Sequence, residues 1–256
     1  MADPLSITDD LGREVTLTRP VRKVVSLVPS LTEALAATAP ELLVGATDWC
    51  THPADLDVVR VRGTKNPDLA KIVALEPDLV VANQEENREL DVRRLQQAGV
   101  SVWVTAPTTV PAALDSLGRL VTTAVGVRAE PAWLEQARRA WAGPVPAAAA
   151  GVAVPIWRDP WMVVGPGTFA GDLLRRIGFR NVYDGAAERY PHTTLAQLRS
   201  HRPDLVVLPD EPYRFTAADG PEALTGLDCR LVSGRLLTWY GPSLVTARET
   251  LAAALG

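Results

Sequence analysis

Pro77-Asp-Leu-Val-Val81 returns unchanged as Pro203-Asp-Leu-Val-Val207, about half the chain later. A helical apolar pattern precedes each copy, with Leu69, Ile72 and Val73 before the first and Leu195 and Leu198 before the second. A polar, Glu-containing loop follows each, Asn83-Gln-Glu-Glu-Asn87 and Asp210-Glu-Pro-Tyr213. Residues 24–27 and 152–156 are a second matching pair of apolar runs. Helix, Pro-Asp, short apolar strand and polar loop make an α/β unit. An unbroken apolar run suits a parallel sheet covered on both faces. Two copies of the unit predict two similar lobes.

Working outward, the first lobe reads as strands near 24–27, 42–45, 79–82 and 101–104. Its helices fall near 31–37, 68–75, 88–98 and 111–124. For the third of these, Asn87 is the expected cap, Leu90 and Leu95 the inward residues and Gly99 the stop. Residues 6–17 read as a hairpin turning at Asp10-Leu-Gly12. A helix over 130–142 carries Trp133, Ala137 and Trp141 on one stripe, and a break falls near Gly126. A Pro/Ala-rich stretch, residues 143–151, separates the halves. Beyond it lie a strand at 152–157, helices near 168–177 and 193–200, a strand at 205–208 and a final helix over 243–255. The expected fold class is α/β: two Rossmann-like lobes with mainly parallel sheets flanked by helices, joined by a helical linker, with a ligand cleft between them. The expected domains are an N-terminal lobe over 1–108, a linker over 109–143 and a C-terminal lobe over 144–256.

Composition narrows the function. With 47% apolar and 22% charged residues, the 256-residue chain has the make-up of a globular protein. A net charge of −4 and the lack of any Lys/Arg block argue against nucleic acid as a partner. Cys50 and Cys229 are too few for a disulfide framework or a four-Cys metal site, so both read as reduced thiols. No window holds the ~20 apolar residues that span a bilayer. The first ten residues show no basic and apolar leader pattern. The expected location is therefore cytoplasmic if the chain is complete, and extracytoplasmic if a leader was removed.

Open α/β sheets take ligands at the carboxyl ends of their strands. The loops there hold Ser30, Trp49, His52, Asn66, Glu85 and Asn87 in the first half. In the second they hold Trp157, Tyr190, Glu211, Tyr213, Trp239 and Tyr240. Seven of the chain's aromatics are Trp, against four Tyr and three Phe, and Trp49, Trp157, Trp161 and Trp239 all fall in these loops. Core packing explains any single Trp as readily, but the group fits a broad, flat ligand. Ser30 is positioned to cap the helix that follows it. Cys50 and His52, with His192, could supply a metal site, yet they lack ligand spacing, so no metal ligands are assigned. Gly165-Pro-Gly167 resembles a phosphate loop, but Pro166 removes a backbone donor, and a turn into a helix capped by Thr168 is the better reading. Glu85-Glu86 could be an acid pair, although adjacent carboxylates at a helix entry more often serve the helix dipole. With no G-x-S-x-G, H-E-x-x-H or P-loop present, no catalytic residue is assigned and the chain is not expected to be an enzyme.

Several motifs carry a family resemblance. Asp10-Leu-Gly-Arg-Glu-Val15 and Val24-Val-Ser-Leu-Val-Pro-Ser-Leu-Thr-Glu33 resemble the opening of class III substrate-binding proteins, the helical-backbone metal receptors. Leu75-Glu-Pro-Asp-Leu-Val-Val-Ala-Asn83, Gly171-Asp-Leu-Leu-Arg-Arg-Ile-Gly-Phe-Arg-Asn-Val182, Tyr190-Pro191 and Arg202-Pro-Asp-Leu-Val-Val207 continue it over nearly the whole chain. The pattern is most similar to the cobalamin-binding branch. There the resemblance puts Trp49 at a Tyr of the second-strand loop, Tyr190 at a Trp before Pro, and Trp239-Tyr240 at a Trp-Phe pair. The bare-metal branch uses several His and carboxylates, and this chain has three His. The family's long linking helix is here two shorter ones.

The resemblance implies a binding protein for a corrinoid or similar large metal chelate, captured in the interlobe cleft and linked to ABC-type uptake. No intrinsic cofactor is implied; a cobalamin-like corrinoid is the expected ligand. The implied partner is an ABC importer permease, and the protein is expected to be monomeric and not membrane-spanning. The alternatives are ferric siderophore or heme binding, a metallochaperone using Cys50, His52 and His192, and an enzyme on the same scaffold.

Overall fold

Both copies of the repeat are central strands, and the same residues do the same work in each. Leu79–Asn83 and Leu205–Pro209 are buried along their whole length. The Asp78 carboxylate accepts from the backbone N–H groups of Arg22 and Lys23, at 2.7 and 2.9 Å. Asp204 accepts from the N–H of Gly151 at 2.6 Å. Each Asp thus ties its strand's entry to the neighbouring strand. The residues before the two prolines, Glu76 and Arg202, share a left-handed backbone, with φ of 49° and 47°.

The computed structural model describes residues 5–256, so the first four residues of the stretch read for a leader lie outside the described residues. The chain forms two units. The first holds the residues up to Pro107, Ala113–Glu135 and Tyr240–Pro242; the second holds Thr108–Ala112, Gln136–Trp239 and Ser243–Gly256.

The first unit runs β1 (Leu5–Thr8), β2 (Glu14–Leu17), β3 (Val24–Ser26), α1 (Pro29–Ala36), β4 (Leu43–Ala46), β5 (Val59–Arg60), β6 (Arg62–Gly63), β7 (Asn66–Pro67), α2 (Leu69–Ala74), β8 (Leu79–Asn83), α3 (Glu89–Gln97) and β9 (Val102–Thr105). Strands β5-β4-β3-β8-β9 form a parallel sheet in that order. Its core includes Val25, Val80 and Val104 from the strands, with Ile72, Val92 and Leu95 from the helices. β1 and β2 form the expected antiparallel hairpin. In its turn the Asp9 carboxylate accepts from the N–H groups of Leu11 and Arg13, and Gly12 has φ +74°.

Next come α4 (Val110–Arg119), a π-helical turn over Leu120–Val125, and α5 (Ala132–Trp141). Gly126, at φ +91°, ends the first stretch where the sequence places the break. Ala137 and Trp141 are buried, and Trp133 donates from Nε1 to Thr38 Oγ1 at 3.0 Å.

The second unit runs β10 (Ala150–Ala153), β11 (Pro155–Trp157), β12 (Met162–Val163), α6 (Phe169–Arg176), β13 (Phe179–Asn181), α7 (Leu195–Ser200), β14 (Leu205–Pro209), β15 (Cys229–Val232), α8 (Gly234–Thr238) and α9 (Leu244–Leu255). Its parallel sheet is ordered β13-β10-β14-β15. Thr168 caps α6 by accepting from Gly171 N–H. No helix among the described residues is long and apolar enough to cross a membrane.

Four local expectations are corrected. Ser30 lies inside α1, whose cap position is Val28 with no side-chain cap, because Pro29 already starts the helix. Asn87 does not cap α3; Arg88 holds that position. Leu90 is 55% exposed, and Val92 and Leu95 form the buried stripe instead. The strand expected over 152–157 is two strands in different sheets. Pro155, with no N–H to extend the ladder, opens β11, which pairs antiparallel with β12.

Candidate functional site

In the first unit a network of side-chain amides holds the loops beyond the sheet. Asn87 Oδ1 accepts from the Asn83 N–H at 2.8 Å, while its Nδ2 donates to the carbonyls of Leu27 (3.3 Å) and Thr64 (3.0 Å). One side chain thereby ties the ends of β3 and β8 to the β6–β7 hairpin. Asn83 Oδ1 accepts from the N–H groups of Glu85 and Glu86, at 2.8 and 3.1 Å, which fixes the course of that acidic loop. Lys65 Nζ donates to the Glu85 carbonyl.

On this base Trp49 stands 66% exposed. Its Nε1 would lie 3.3 Å from a Cβ placed on Gly63, and Asn66 Oδ1 would collide with that Cβ. Gly63 therefore lets Trp49 and Asn66 settle on the hairpin backbone. Asn66 is exposed and Glu85 half-buried. His52 is half-buried, with Nδ1 3.2 Å from Thr51 Oγ1.

Cys50 is fully buried, its Sγ 2.9 Å from Thr32 Oγ1 and 3.1 Å from Thr47 Oγ1. Burial pushes its thiol pKa up. Among the described residues no three His, Cys, Asp or Glu stand together to hold a metal ion. Cys50 is a hydrogen-bonded core thiol that burial keeps protonated, whereas a metal ligand is a thiolate.

In the second unit the aromatics form a ladder. Trp157, 46% exposed at the end of β11, meets Tyr213 edge to face, with centroids 5.6 Å apart and planes at 78°. Tyr213 packs on Phe215 at 4.7 Å, and Phe215 stacks on buried Trp161 at 6.0 Å and 9°. Such pairs hold the outermost ring in a set orientation. Arg158 lies 5.3 Å from the Trp161 ring centroid and bonds to Asp219 and Glu222. The Tyr213 hydroxyl donates to Asp219 at 2.7 Å, and that bond to a carboxylate raises its pKa. Arg158 lowers the pKa of Glu222.

Tyr190 is half-buried beside Arg189, whose guanidinium lies 6.0 Å from its ring. Its loop is strapped down by Gly165 N–H to the Arg189 carbonyl (2.7 Å) and Val163 N–H to the Pro191 carbonyl (3.1 Å). Gly165 is needed there, because any Cβ would strike the Glu188 carbonyl. His192 is exposed and, with His201, Tyr183 and Thr193, lines a separate cavity of about 320 Å³.

Four expected site residues are buried, the first being Asn87, 6% exposed, whose amide is bonded to Asn83, Leu27 and Thr64. Trp239 is 6% exposed, and its Nε1 donates to Glu211 Oε2 at 2.9 Å. Tyr240, 5% exposed, belongs to the first unit, its hydroxyl 2.6 Å from Asn83 Nδ2 and 3.1 Å from Thr105 Oγ1. Burial drives the pKa of that phenol far up. Ser30 is 2% exposed. The last three are likewise buried, and Trp239 and Tyr240 are also hydrogen-bonded to other side chains. Glu211 is half-buried and seated against Gly234, where a Cβ would come within 2.6 Å of its backbone N. Sequence reasoning missed Phe215, Asp219 and Glu222, which join Trp157 only through folding and carry no local motif.

Similarity to known proteins agrees with this architecture. YvrC of Bacillus subtilis (strain 168), an uncharacterized ABC transporter substrate-binding lipoprotein, is 33% identical over 102 residues, 39% of this chain and 32% of that protein. The match thus spans about a third of that relative's length. The vitamin B12-binding protein of Vibrio vulnificus (strain CMCP6) is 25% identical over 200 residues, 72% of this chain and 70% of that one. Among solved structures, the periplasmic heme-binding protein BhuT in complex with two hemes superposes with a TM-score of 0.76 at 25% identity, covering 91% of this chain and 97% of the other. The sequence profile described as periplasmic binding protein matches residues 24–207, a span that takes in both copies of the repeat and the strands on which Trp49 and Trp157 are mounted, and so this chain belongs to the periplasmic binding protein family.

Proposed function

We propose that the protein binds a corrinoid or similar large planar metal chelate and presents it to an ABC-type importer. The observation that carries this reading is the pair of exposed indoles, Trp49 in the loop after β4 and Trp157 at the end of β11, one in each unit. Loops at the carboxyl ends of parallel strands are where such sheets take ligands. Trp offers wide contact area at low entropy cost. Asn66 beside Trp49 and Tyr213 beside Trp157, together with Glu85, are the polar contacts assigned to the ligand's periphery. The relative named as a vitamin B12-binding protein supports the corrinoid class. In this reading the chain captures and releases its ligand without chemistry on it.

Heme is the second reading, favoured by the likeness to the heme-loaded BhuT. A titration of Trp fluorescence with cyanocobalamin, hydroxocobalamin and heme, corrected for inner-filter absorption and repeated by calorimetry, tests both. Saturable one-to-one binding of a cobalamin is the expected result. Binding of heme alone selects the second reading, and binding of none rejects both.

A further inference from the structure

The ligand's charge can be argued from the wall around Trp157. Residues 157–161 and 210–222 carry five carboxylates, Asp159, Asp210, Glu211, Asp219 and Glu222, against two arginines, Arg158 and Arg214. Arg158 bonds to Asp219 and to Glu222 (2.6 Å), and its Nε lies 3.5 Å from Asp159. The Arg158 side chain is 18% exposed, whereas those of Asp159, Asp219 and Glu222 are 82%, 41% and 48% exposed. One guanidinium is therefore shared among three carboxylates that still face solvent. The Tyr213 hydroxyl spends its proton on Asp219. Neither Arg158 nor Tyr213 is then available to receive an anionic substituent. The first unit's loops lean the same way less strongly, with Asp48, Asp55, Asp57, Asp68, Glu85 and Glu86 against Arg60, Arg62, Lys65 and Arg88 over residues 47–68 and 84–88. An indole face attracts positive charge, and like charge across a contact discriminates against the wrong partner.

We propose that this wall selects its ligand by charge, taking a chelate that is neutral or positive where it lies on Trp157 and disfavouring one that presents carboxylates there. The inference rests on the chelate-binding reading and deepens it.

Two matched ligand pairs test it by calorimetry at mildly acidic pH. Aquocobalamin carries one positive charge more than cyanocobalamin at nearly the same size, and ferric heme carries two propionates that its dimethyl ester lacks. Aquocobalamin should bind tighter than cyanocobalamin by roughly two- to tenfold, the range of exposed charge pairs, and the ester tighter than heme. Both gaps should narrow with added salt and in the D159N/E222Q variant. D159N alone serves if the double variant does not fold, because Asp159 is the most exposed of the three carboxylates and Asn tolerates its left-handed backbone. Equal affinities within each pair overturn the inference. So does a preference that survives both salt and substitution, as ligation of the cobalt by a histidine would. Failure to bind all four ligands is a different result, which removes the chelate reading itself.

Discussion

Trp157 ends β11 and Trp239 follows α8, both in the second unit, yet 46% of the first is exposed and 6% of the second. Truncation should separate them by assay. Trp157→Ala is expected to weaken ligand binding by about 1–3 kcal/mol, the cost of losing an aromatic anchor, with an unchanged urea midpoint. Trp239→Ala is expected to lower stability by about 3–5 kcal/mol in urea denaturation, before any effect on binding is read. Cys50 offers a further check at this scale. Fully buried and held protonated, it should resist a thiol reagent in the native protein, with labelling of a second thiol beyond Cys229 appearing only in denaturant. The apolar run before Trp157 is legible as a strand and puts that ring at its end, whereas the run before Trp239, read the same way, folds as the helix α8. The sequence does not show which ring is covered. For Trp239 that depends on Glu211, 28 positions earlier, arriving to accept its N–H.

At the scale of single elements, α3 shows where periodicity misleads. Leu90 and Leu95 are five positions apart, about 140° around a helix that turns about 100° per residue, so they cannot share a face. Val92 and Leu95, three apart, do. Asn87 reads locally as a cap, but its bonds reach Leu27 and Thr64, and nothing within the helix announces those partners. Asn87→Ala should cost about 1–3 kcal/mol, because it strands buried backbone groups; thermal or urea melts measure this. On α6, burial alone would raise the pKa of Asp172, but bonds from Arg176, the Val110 N–H and Arg175 outweigh it and hold the carboxyl below its ordinary value of 3.8. A carboxylate with a lowered folded pKa stabilises the fold above the ordinary value, and that stability is lost as pH falls through the folded one. Asp172→Asn should therefore destabilise at neutral pH, and the gap from the parent protein should close as urea melts are taken to pH values below the ordinary 3.8.

For the molecule as a whole, one plan is used twice, and the repeat made that visible because a five-residue buried strand must be entered and left in the same manner each time. A ligand that binds only the folded chain should add about 2.7 kcal/mol of stability at about 100 times its Kd, read as a rise of several degrees in Tm. What the repeat conceals is that the two halves are not closed segments of sequence. Tyr240–Pro242 belong to the first unit, where Tyr240 completes the bonding of Asn83 and Thr105, and the close fit of Gly241 against the Ser30 carbonyl leaves a Cβ only 3.1 Å away. A nascent chain emerges from its amino end, and its early domains begin folding while the rest is still being made. Here the ribosome releases the amino-terminal unit long before it releases the phenol that finishes that unit's interior. A chain halted at residue 239 would contain every strand of its first sheet and still have an open seam at its end. The half of the protein that is begun first still lacks its last three residues when all of the other half but its terminal segment has been made.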